Sequence, residues 1–580
     1  MNILDRGDFL EIQPVSLQDR KVVSSLPGFI GRNEYLLPKK APVIRNVLHR
    51  LNLLKQGSIE IPERWVEKKH LSPIRDGFKF ATEPLKHQLI AMRYLITNKG
   101  GGLLLDPGLG KTKVCLDYIY HEGFNRVLII CPKPLQFVWE DEISTHRPEL
   151  SYTTFTTTDW PSHANLNKSV WIINYKKACM LLPELLETSF DAMFIDEGLV
   201  KNPSSDQSKA IQLLSKRIPV RVIMSGTLVN NSEIDLYSPV RILEPSLVGG
   251  SYSKFRDTYF KVWMPVRGNK NIKSVGSAID PELVRDILRS CSIIMRKEEW
   301  LTLPEKVFIE RVVAMPSITA KHYWELLSNY VTKIGDLVVQ CDNPLSLMCK
   351  LMQISNGFVY ENEDGFEDIM LPKPKDIKPK KSKRPTYFFP EHPKVDELIR
   401  ILLDDEVGER VVVWYSMDAE RKLIEDKFSQ EGIKSITVAG GDKHVKEKVK
   451  QFNSDDSIKV LLCQAKTLNY GVTLLGNRKN SDEEDSINVS EMSSQRLNSR
   501  VCVEVFFSLT TSLEVFIQQQ DRIHRIGQTL PCRYYLILSD SPVEQNLSQR
   551  LRDKLDIRDF MLEDILNKAR DNFSYQHTMV

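Results

Sequence analysis

Lys111 and Thr112 end a glycine-bearing stretch, Asp106-Pro-Gly-Leu-Gly-Lys-Thr112, that follows the apolar run Leu103–Leu105. Gly108 and Gly110 let the backbone approach a phosphate, and a helix starting after them offers free N–H groups to it. Lys111 would reach the outer phosphates and Thr112 a magnesium ion, with Asp106, Pro107, Gly108, Leu109 and Gly110 as the cradle. The G-x-x-x-x-G-K-[ST] pattern is not fully met, because Leu105 stands where its first glycine would be. A chance glycine turn is the alternative; the strand-turn-helix order argues against it.

Such a loop needs a carboxylate partner. Phe194-Ile-Asp-Glu-Gly-Leu199 offers one at the end of an apolar run. Asp196 would hold magnesium through water, and Glu197 would orient and deprotonate an attacking water. An acidic pair opening a loop is common in itself. At the carboxyl end of a parallel strand it falls where open α/β sheets bind ligands.

About four hundred residues beyond the glycine loop, Gln518-Gln-Gln-Asp-Arg-Ile-His-Arg-Ile-Gly-Gln528 carries Arg522 and Arg525. Two arginines there could complete the same site from a second lobe, so that hydrolysis would depend on the two lobes meeting.

The elements that must position these residues form two similar series. Short apolar runs recur at Leu103–Leu105, Val127–Ile130, Trp171–Ile173, Ala192–Ile195 and Val220–Met224, and again at Val411–Tyr415, Ile436–Ala439, Val460–Cys463, Val501–Phe507 and Arg533–Leu538. Polar, helix-compatible sequence follows each, the pattern of a parallel sheet covered on both faces. The fold class is therefore α/β, with two parallel-sheet lobes in tandem.

At 580 residues the chain exceeds a single core. Its 42% hydrophobic and 27% charged content is ordinary for globular protein, and a net charge of +3 neither requires nor excludes nucleic acid. The nine cysteines make no C-x-x-C pair and no zinc spacing, which suits a reducing compartment. No apolar run approaches ~18 residues, so no membrane span is expected.

The expected domains are an accessory unit over 1–75, a nucleotide-binding lobe over 76–310, a helical insertion and basic linker over 311–390, and a second lobe over 391–580. In the accessory unit, Leu26–Gly31 and Glu34–Pro38 suggest two short strands around a turn. Val43, Ile44, Val47, Leu48, Leu51 and Leu54 give one apolar helix face. Leu371–Pro385 holds four prolines and seven basic residues, an extended segment that reads as solvated linker, nucleic-acid contact or import signal. Gly476–Arg500 is a polar surface loop.

The motifs together resemble the Swi2/Snf2 type within helicase superfamily 2, over roughly Pro84 to Lys554. Asp196–Lys209 is similar to that family's DEAH-type box, and Val127–Leu135 with Trp139 and Glu142 to its motif Ia. Met224-Ser-Gly-Thr-Leu-Val-Asn-Asn231 is similar to motif III, with Leu228 where proline is usual, and Leu303-Pro-Glu-Lys306 after Arg296-Lys297 to the segment closing the first lobe. Asn469–Leu474 is similar to motif V, and Gln518–Gln528 matches the family most closely of all.

The resemblance implies RecA-like lobes, ATP and Mg2+ as ligands, and a motor on double-stranded or branched DNA. It implies that Gln88 reads adenine, that Ser225, Gly226 and Thr227 couple nucleotide state to movement, and that Arg525, with Arg522, faces the γ-phosphate. His524 and Gln528 would support the closed interface. Two departures stand out. Leu199 replaces the histidine of the DEAH-type box, and the motif V region lacks most of its glycines. Lys86, Lys297 and Lys373–Arg384 are basic candidates for DNA, against simple solvent exposure.

The implied activity is DNA-dependent ATP hydrolysis driving translocation or remodelling in replication, repair or recombination. A strand-separating helicase and a non-catalytic DNA-binding scaffold are the other readings. A P-loop kinase or transporter would leave the second lobe and its arginines unexplained. The chain is expected to act as a monomer, to resemble compact bacterial or viral members, and to reside in the cytoplasm of a bacterium or virus-infected host, or in a nucleus. Its N-terminal unit is faintly similar to the hairpin element preceding annealing helicases.

Overall fold

In the computed structural model the described residues are 2–6, 9–13, 35–38, 71–156, 160, 168–197, 200, 202–226, 233–248, 251–263, 274–279, 281–335, 337–361, 385–442, 444–465, 474 and 501–553. Leu199, Thr227, residues 469–473 of the motif V candidate, the basic segment Lys373–Arg384, the loop Gly476–Arg500 and the apolar helix face Val43–Leu54 lie outside them. The chain divides into two units, Met1–Leu301 and Thr302–Val580.

The first unit is built on seven strands: β1 (Gly100–Leu105), β2 (Val127–Cys131), β3 (Tyr152–Thr154), β4 (Val170–Asn174), β5 (Ala192–Asp196), β6 (Val220–Met224) and β7 (Ser292–Met295). Their order across the sheet is β7-β1-β6-β5-β2-β4-β3, and every neighbouring pair is parallel. Every residue of β2, β4 and β5 is buried, as expected of a parallel sheet covered on both faces. Its helices include α1 (Lys86–Asn98), α2 (Lys111–Glu122), α3 (Gln136–His146) and α4 (Asp206–Ser215). Local chemistry sets their ends. The Ser205 side chain accepts from the Ser208 N–H at the start of α4. Gly123, at φ 67, turns the chain out of α2 and donates to the Ile119 carbonyl.

The second unit carries six strands: β8 (Lys306–Val313), β9 (Val411–Tyr415), β10 (Ser435–Val438), β11 (Val460–Gln464), β12 (Val503–Phe506) and β13 (Cys532–Ser539). They are all parallel, in the order β8-β13-β12-β9-β11-β10. The protein therefore has two parallel-sheet α/β lobes, as the apolar runs indicate.

The sequence boundary at 310 moves, because the division falls at Leu301 and β8 belongs to the second sheet. β8 is an edge strand, half-exposed and broken by Glu310 and Arg311, so it lacks the continuous apolar run of its neighbours. The helices expected as an insertion, α5 (Ser317–Asn329) and α6 (Pro344–Ser355), form a layer on the second sheet. Tyr323, Leu326, Leu347 and Leu351 share one core with Trp414, Phe506 and Leu536.

Ahead of the first lobe, Asn2–Arg6, Phe9–Gln13 and Tyr35–Pro38 pair as a three-stranded antiparallel sheet. One of the two expected strands is thus found, as Tyr35–Pro38, and it pairs with earlier strands that the sequence reading did not find; the other, Leu26–Gly31, lies outside the described residues. Among the described residues no helix is long and apolar enough to cross a membrane.

Candidate functional site

β6 lies between β1 and β5, and the register aligns Leu103, Met224 and Asp196 across the three strands. The loop from Asp106, the Ser225–Gly226 turn and the Asp196–Glu197 pair therefore leave the same edge of the sheet side by side. That edge is the carboxyl end, where open α/β sheets bind ligands.

The glycine loop joins β1 to α2, as the strand-turn-helix reading expects. Gly108 and Gly110 have φ of 90 and 78, conformations in which a Cβ would be strained. A Cβ at Gly110 would also overlap the Gln88 amide. Gly110 is the N-cap of α2 and brings no side chain, so the first N–H groups of the helix have no intrahelical acceptor. The Lys111 ammonium donates to the Leu105 carbonyl at 2.8 Å, folded back along its own loop. Thr112, at the helix start, is partly exposed.

Pro107 packs against Gly226, and the Ser225 N–H donates to Leu103 O at 3.1 Å. Ser225 is buried. The expected coupling turn thus touches the glycine loop.

Asp196 is buried at the end of β5, and its Oδ2 accepts from the indole N–H of Trp139 on α3 at 2.9 Å. Burial, then repulsion from Glu197, pushes its carboxyl up to about 7, while the Trp139 bond and the Lys111 charge pull the other way. A carboxylate enclosed in this manner is short of positive charge. Glu197, one residue on, has φ 58, in the left-handed region that residues with a Cβ seldom occupy.

Gln88 reaches the same loop: its Oε1 accepts from Leu85 N at 3.0 Å, and its Nε2 donates to Leu109 O at 3.2 Å. The His87 ring contacts that carbonyl at 2.9 Å. Lys86 is exposed, as a solvated or DNA-facing lysine would be. Lys297 is not: it is buried, and its backbone N–H donates to Asp106 Oδ2 at 2.8 Å.

In the second unit, α7 (Leu513–Gln520) ends in a tight turn carrying both arginines. Arg522 is buried, with Nε donating to Gln518 O at 3.1 Å, whereas Arg525 is partly exposed. His524 contacts Pro304 O at 2.9 Å. Gln528 is buried and donates to Val501 O and Ile523 O, while its Oε1 accepts from the Thr529 and Leu530 N–H groups. These bonds brace the turn within its own unit. The Lys306 ammonium, at the start of β8, donates to Gln520 Oε1 at 3.2 Å and lies 3.8 Å from Asp521.

Sequence reasoning missed the buried brace behind α2. Asp117 holds Lys113 at 2.7 Å and Arg147 at 2.6 Å, and the Arg147 guanidinium lies over Tyr120 and Phe78 at 4.6 and 4.8 Å from their ring centroids. Only the Lys113–Asp117 i,i+4 spacing is visible in the sequence.

Residues 80–357 match the model of the SNF2-related domain. The chain is 22% identical over 544 residues to the DNA repair and recombination protein RAD54B of Gallus gallus, aligning 86% of this chain with 55% of that protein. It is 20% identical over 514 residues to the ISWI chromatin-remodeling complex ATPase ISW2 of Saccharomyces cerevisiae, covering 82% and 40%. It is 21% identical over 526 residues to the TATA-binding protein-associated factor mot1 of Schizosaccharomyces pombe, covering 79% and 25%. The chain thus spans from a quarter to about half the length of these relatives. A solved Sulfolobus solfataricus SWI2/SNF2 ATPase core in complex with dsDNA is 20% identical, with 85% of this chain and 95% of that one covered and a TM-score of 0.37.

Proposed function

Because the chain carries an SNF2-related domain and is a homologue of Snf2-family ATPases, we propose that it is a DNA-dependent ATPase that couples hydrolysis to translocation on, or remodelling of, double-stranded or branched DNA. The observation that carries the reading is the convergence of the glycine loop, Ser225–Gly226 and Asp196–Glu197 on one sheet edge.

In this reading the free N–H groups at the start of α2 and the Lys111 ammonium hold the β- and γ-phosphates, and Lys111 leaves the Leu105 carbonyl to do so. The Thr112 hydroxyl and the Asp196 carboxylate are hard oxygen donors suited to Mg2+, and the raised Asp196 carboxyl is one that a cation would relieve. When bound, that ion neutralises charge developing on the phosphate oxygens. Glu197 takes the proton from the attacking water as its oxygen bonds to the γ-phosphorus. The bond from that phosphorus to the β-bridging oxygen breaks, and Lys111 stabilises the ADP that leaves.

Arg525, with Arg522, is the arginine-finger candidate. Such an arginine is worth about 10³–10⁵ in rate. Gln88, held at the loop by Leu109 O, is the adenine-reading candidate.

The test is ATP hydrolysis measured with no DNA and with duplex, single-stranded, forked and four-way DNA at one salt concentration, because phosphate contacts make binding salt-dependent. Slow basal turnover raised by duplex or branched DNA is the expected result. Failure of every DNA to raise the rate would overturn the DNA-coupled reading. Release of a labelled strand would point to unwinding instead of translocation on intact duplex.

A further inference from the structure

The turn that carries Arg522 and Arg525 is fastened to its own sheet at Gln520, the last residue of α7. The Gln520 carbonyl accepts from the Tyr534 hydroxyl at 3.0 Å and from the His524 N–H at 3.2 Å. Its Oε1 accepts from the Lys306 ammonium at 3.2 Å. The next residue, Asp521, is buried, and the same ammonium lies 3.8 Å from its Oδ1.

Neighbouring strands supply these anchors. β8 and β13 run parallel, with Lys306 opposite Cys532 and Phe308 opposite Tyr534. The Phe308 and Tyr534 rings stack at 5.0 Å, and the Lys306 ammonium sits 6.0 Å from the Tyr534 centroid. The residues just before Lys306 are held as well: Cys532 N donates to Glu305 O at 2.9 Å, and His524 contacts Pro304 O at 2.9 Å. The Lys306 charge also reaches Glu504, which is fully buried on β12 opposite Tyr534.

A carboxylate taken out of water is costly unless positive charge meets it. The Lys306 ammonium brings such charge to Asp521 and a hydrogen bond to Gln520, and so pins two consecutive residues. Arg522 follows them directly and Arg525 shortly after, within one tight turn. Misplacing a contributing group by about 1 Å can cost about 10²-fold in rate. Lys306 itself is partly exposed, and ion pairs reached by water add little to stability. Its removal should therefore disturb the turn more than the fold.

We propose that Lys306 is a positioning residue of the ATPase, holding Gln520 and Asp521 so that the arginines after them stand where turnover needs them. The inference rests on the ATPase reading above and on its arginine-finger candidates. It gives a role to a lysine that the sequence marked only as part of a segment closing the first lobe.

The test measures ATP hydrolysis by the full chain with Mg2+ and saturating duplex DNA, with thermal unfolding followed in parallel. Wild type, Lys306→Met, Lys306→Arg and the double variant Arg522→Ala/Arg525→Ala are compared, and Lys306→Met is also built on that double variant. Lys306→Met keeps the stem and loses the charge, so kcat should fall by roughly tenfold or more while KM for ATP moves little. Lys306→Arg should recover most of the loss. On the double variant Lys306→Met should cost nothing further, because residues that act as one unit are not additive.

Wild-type kcat in a folded Lys306→Met overturns the inference. So does an equal fold loss on both backgrounds, or a loss that follows the melting temperature and is not recovered by arginine, which marks a structural lysine. The double variant separates the failures. If it loses turnover while Lys306→Met does not, only the role of Lys306 falls. If it hydrolyses ATP normally, the arginine assignment falls and Lys306 with it. A wild-type chain that hydrolyses no ATP overturns the ATPase reading itself.

Discussion

Gly226 lies flat against Pro107: a Cβ added at Gly226 would fall 2.8 Å from the proline Cδ. The turn after β6 and the glycine loop after β1 are thereby packed backbone to ring, and a shift in one must be felt by the other. The Pro107 ring cannot rotate away as a flexible side chain could.

Gly226→Ala should therefore cost activity out of proportion to its size. Forcing a methyl into a packed contact typically costs about 1–3 kcal/mol. We expect ATP hydrolysis to fall by about tenfold or more, with a modest drop in the thermal midpoint of the first unit. Unchanged kinetics would show that the two loops move independently.

Glu197→Gln should bind ATP normally and hydrolyse it about 10²–10⁴ times more slowly, the usual range for loss of a general base. Glu197→Gly makes a complementary test. Its turnover should be as low, yet its stability should equal or exceed wild type, because glycine adopts φ 58 without strain. Single-turnover hydrolysis and calorimetry measure the two effects separately.

Arg525→Ala and Arg522→Ala should both depress turnover, but they should differ in stability. Arg525 is partly exposed, so its removal should leave the melting of the second unit nearly unchanged. Arg522 is buried and bonded to Gln518 O, so its removal should also lower the melting temperature. Normal hydrolysis by Arg525→Ala would reassign the finger.

Asp117→Ala should destabilise the first unit by roughly 3–5 kcal/mol, because it strips both partners' shared carboxylate from buried Lys113 and Arg147. Denaturant unfolding of the full chain, followed by a probe in that unit, measures this loss. A cost under about 1 kcal/mol would match a solvent-screened pair instead.

The second unit should show a pH dependence owed to Glu504. Burial holds its carboxyl well above the ordinary 4.5; the Trp414 side chain and the charges of Arg522 and Lys306 oppose this, and Asp521 adds to it. The folded state therefore keeps a proton that the unfolded chain has released, so the stabilisation is full below pH 4.5 and declines as pH rises beyond it. Glu504→Gln should remove that decline, making the variant more stable relative to wild type at pH 8 than at pH 5. A constant difference across that range in chemical denaturation would show that Glu504 does not titrate there.

The sequence by itself determined much of this protein. Continuous apolar runs such as Val127–Cys131 and Val411–Tyr415 gave away two parallel sheets, because a strand buried on both faces must be apolar throughout. The glycine turn after β1 and the acidic pair closing β5 were legible as local features, because positive φ favours glycine and a strand end breaks an apolar run. What the tertiary structure alone decided was contact between residues distant in the chain. β8 hid because an edge strand is only half-buried and needs no apolar run. Trp139 meets Asp196, Gly226 meets Pro107, and Lys297 turns from a surface charge into a neighbour of Gly108. Each depends on strand order, which sets neighbours across β7, β1, β6 and β5 and leaves no periodic trace in the sequence.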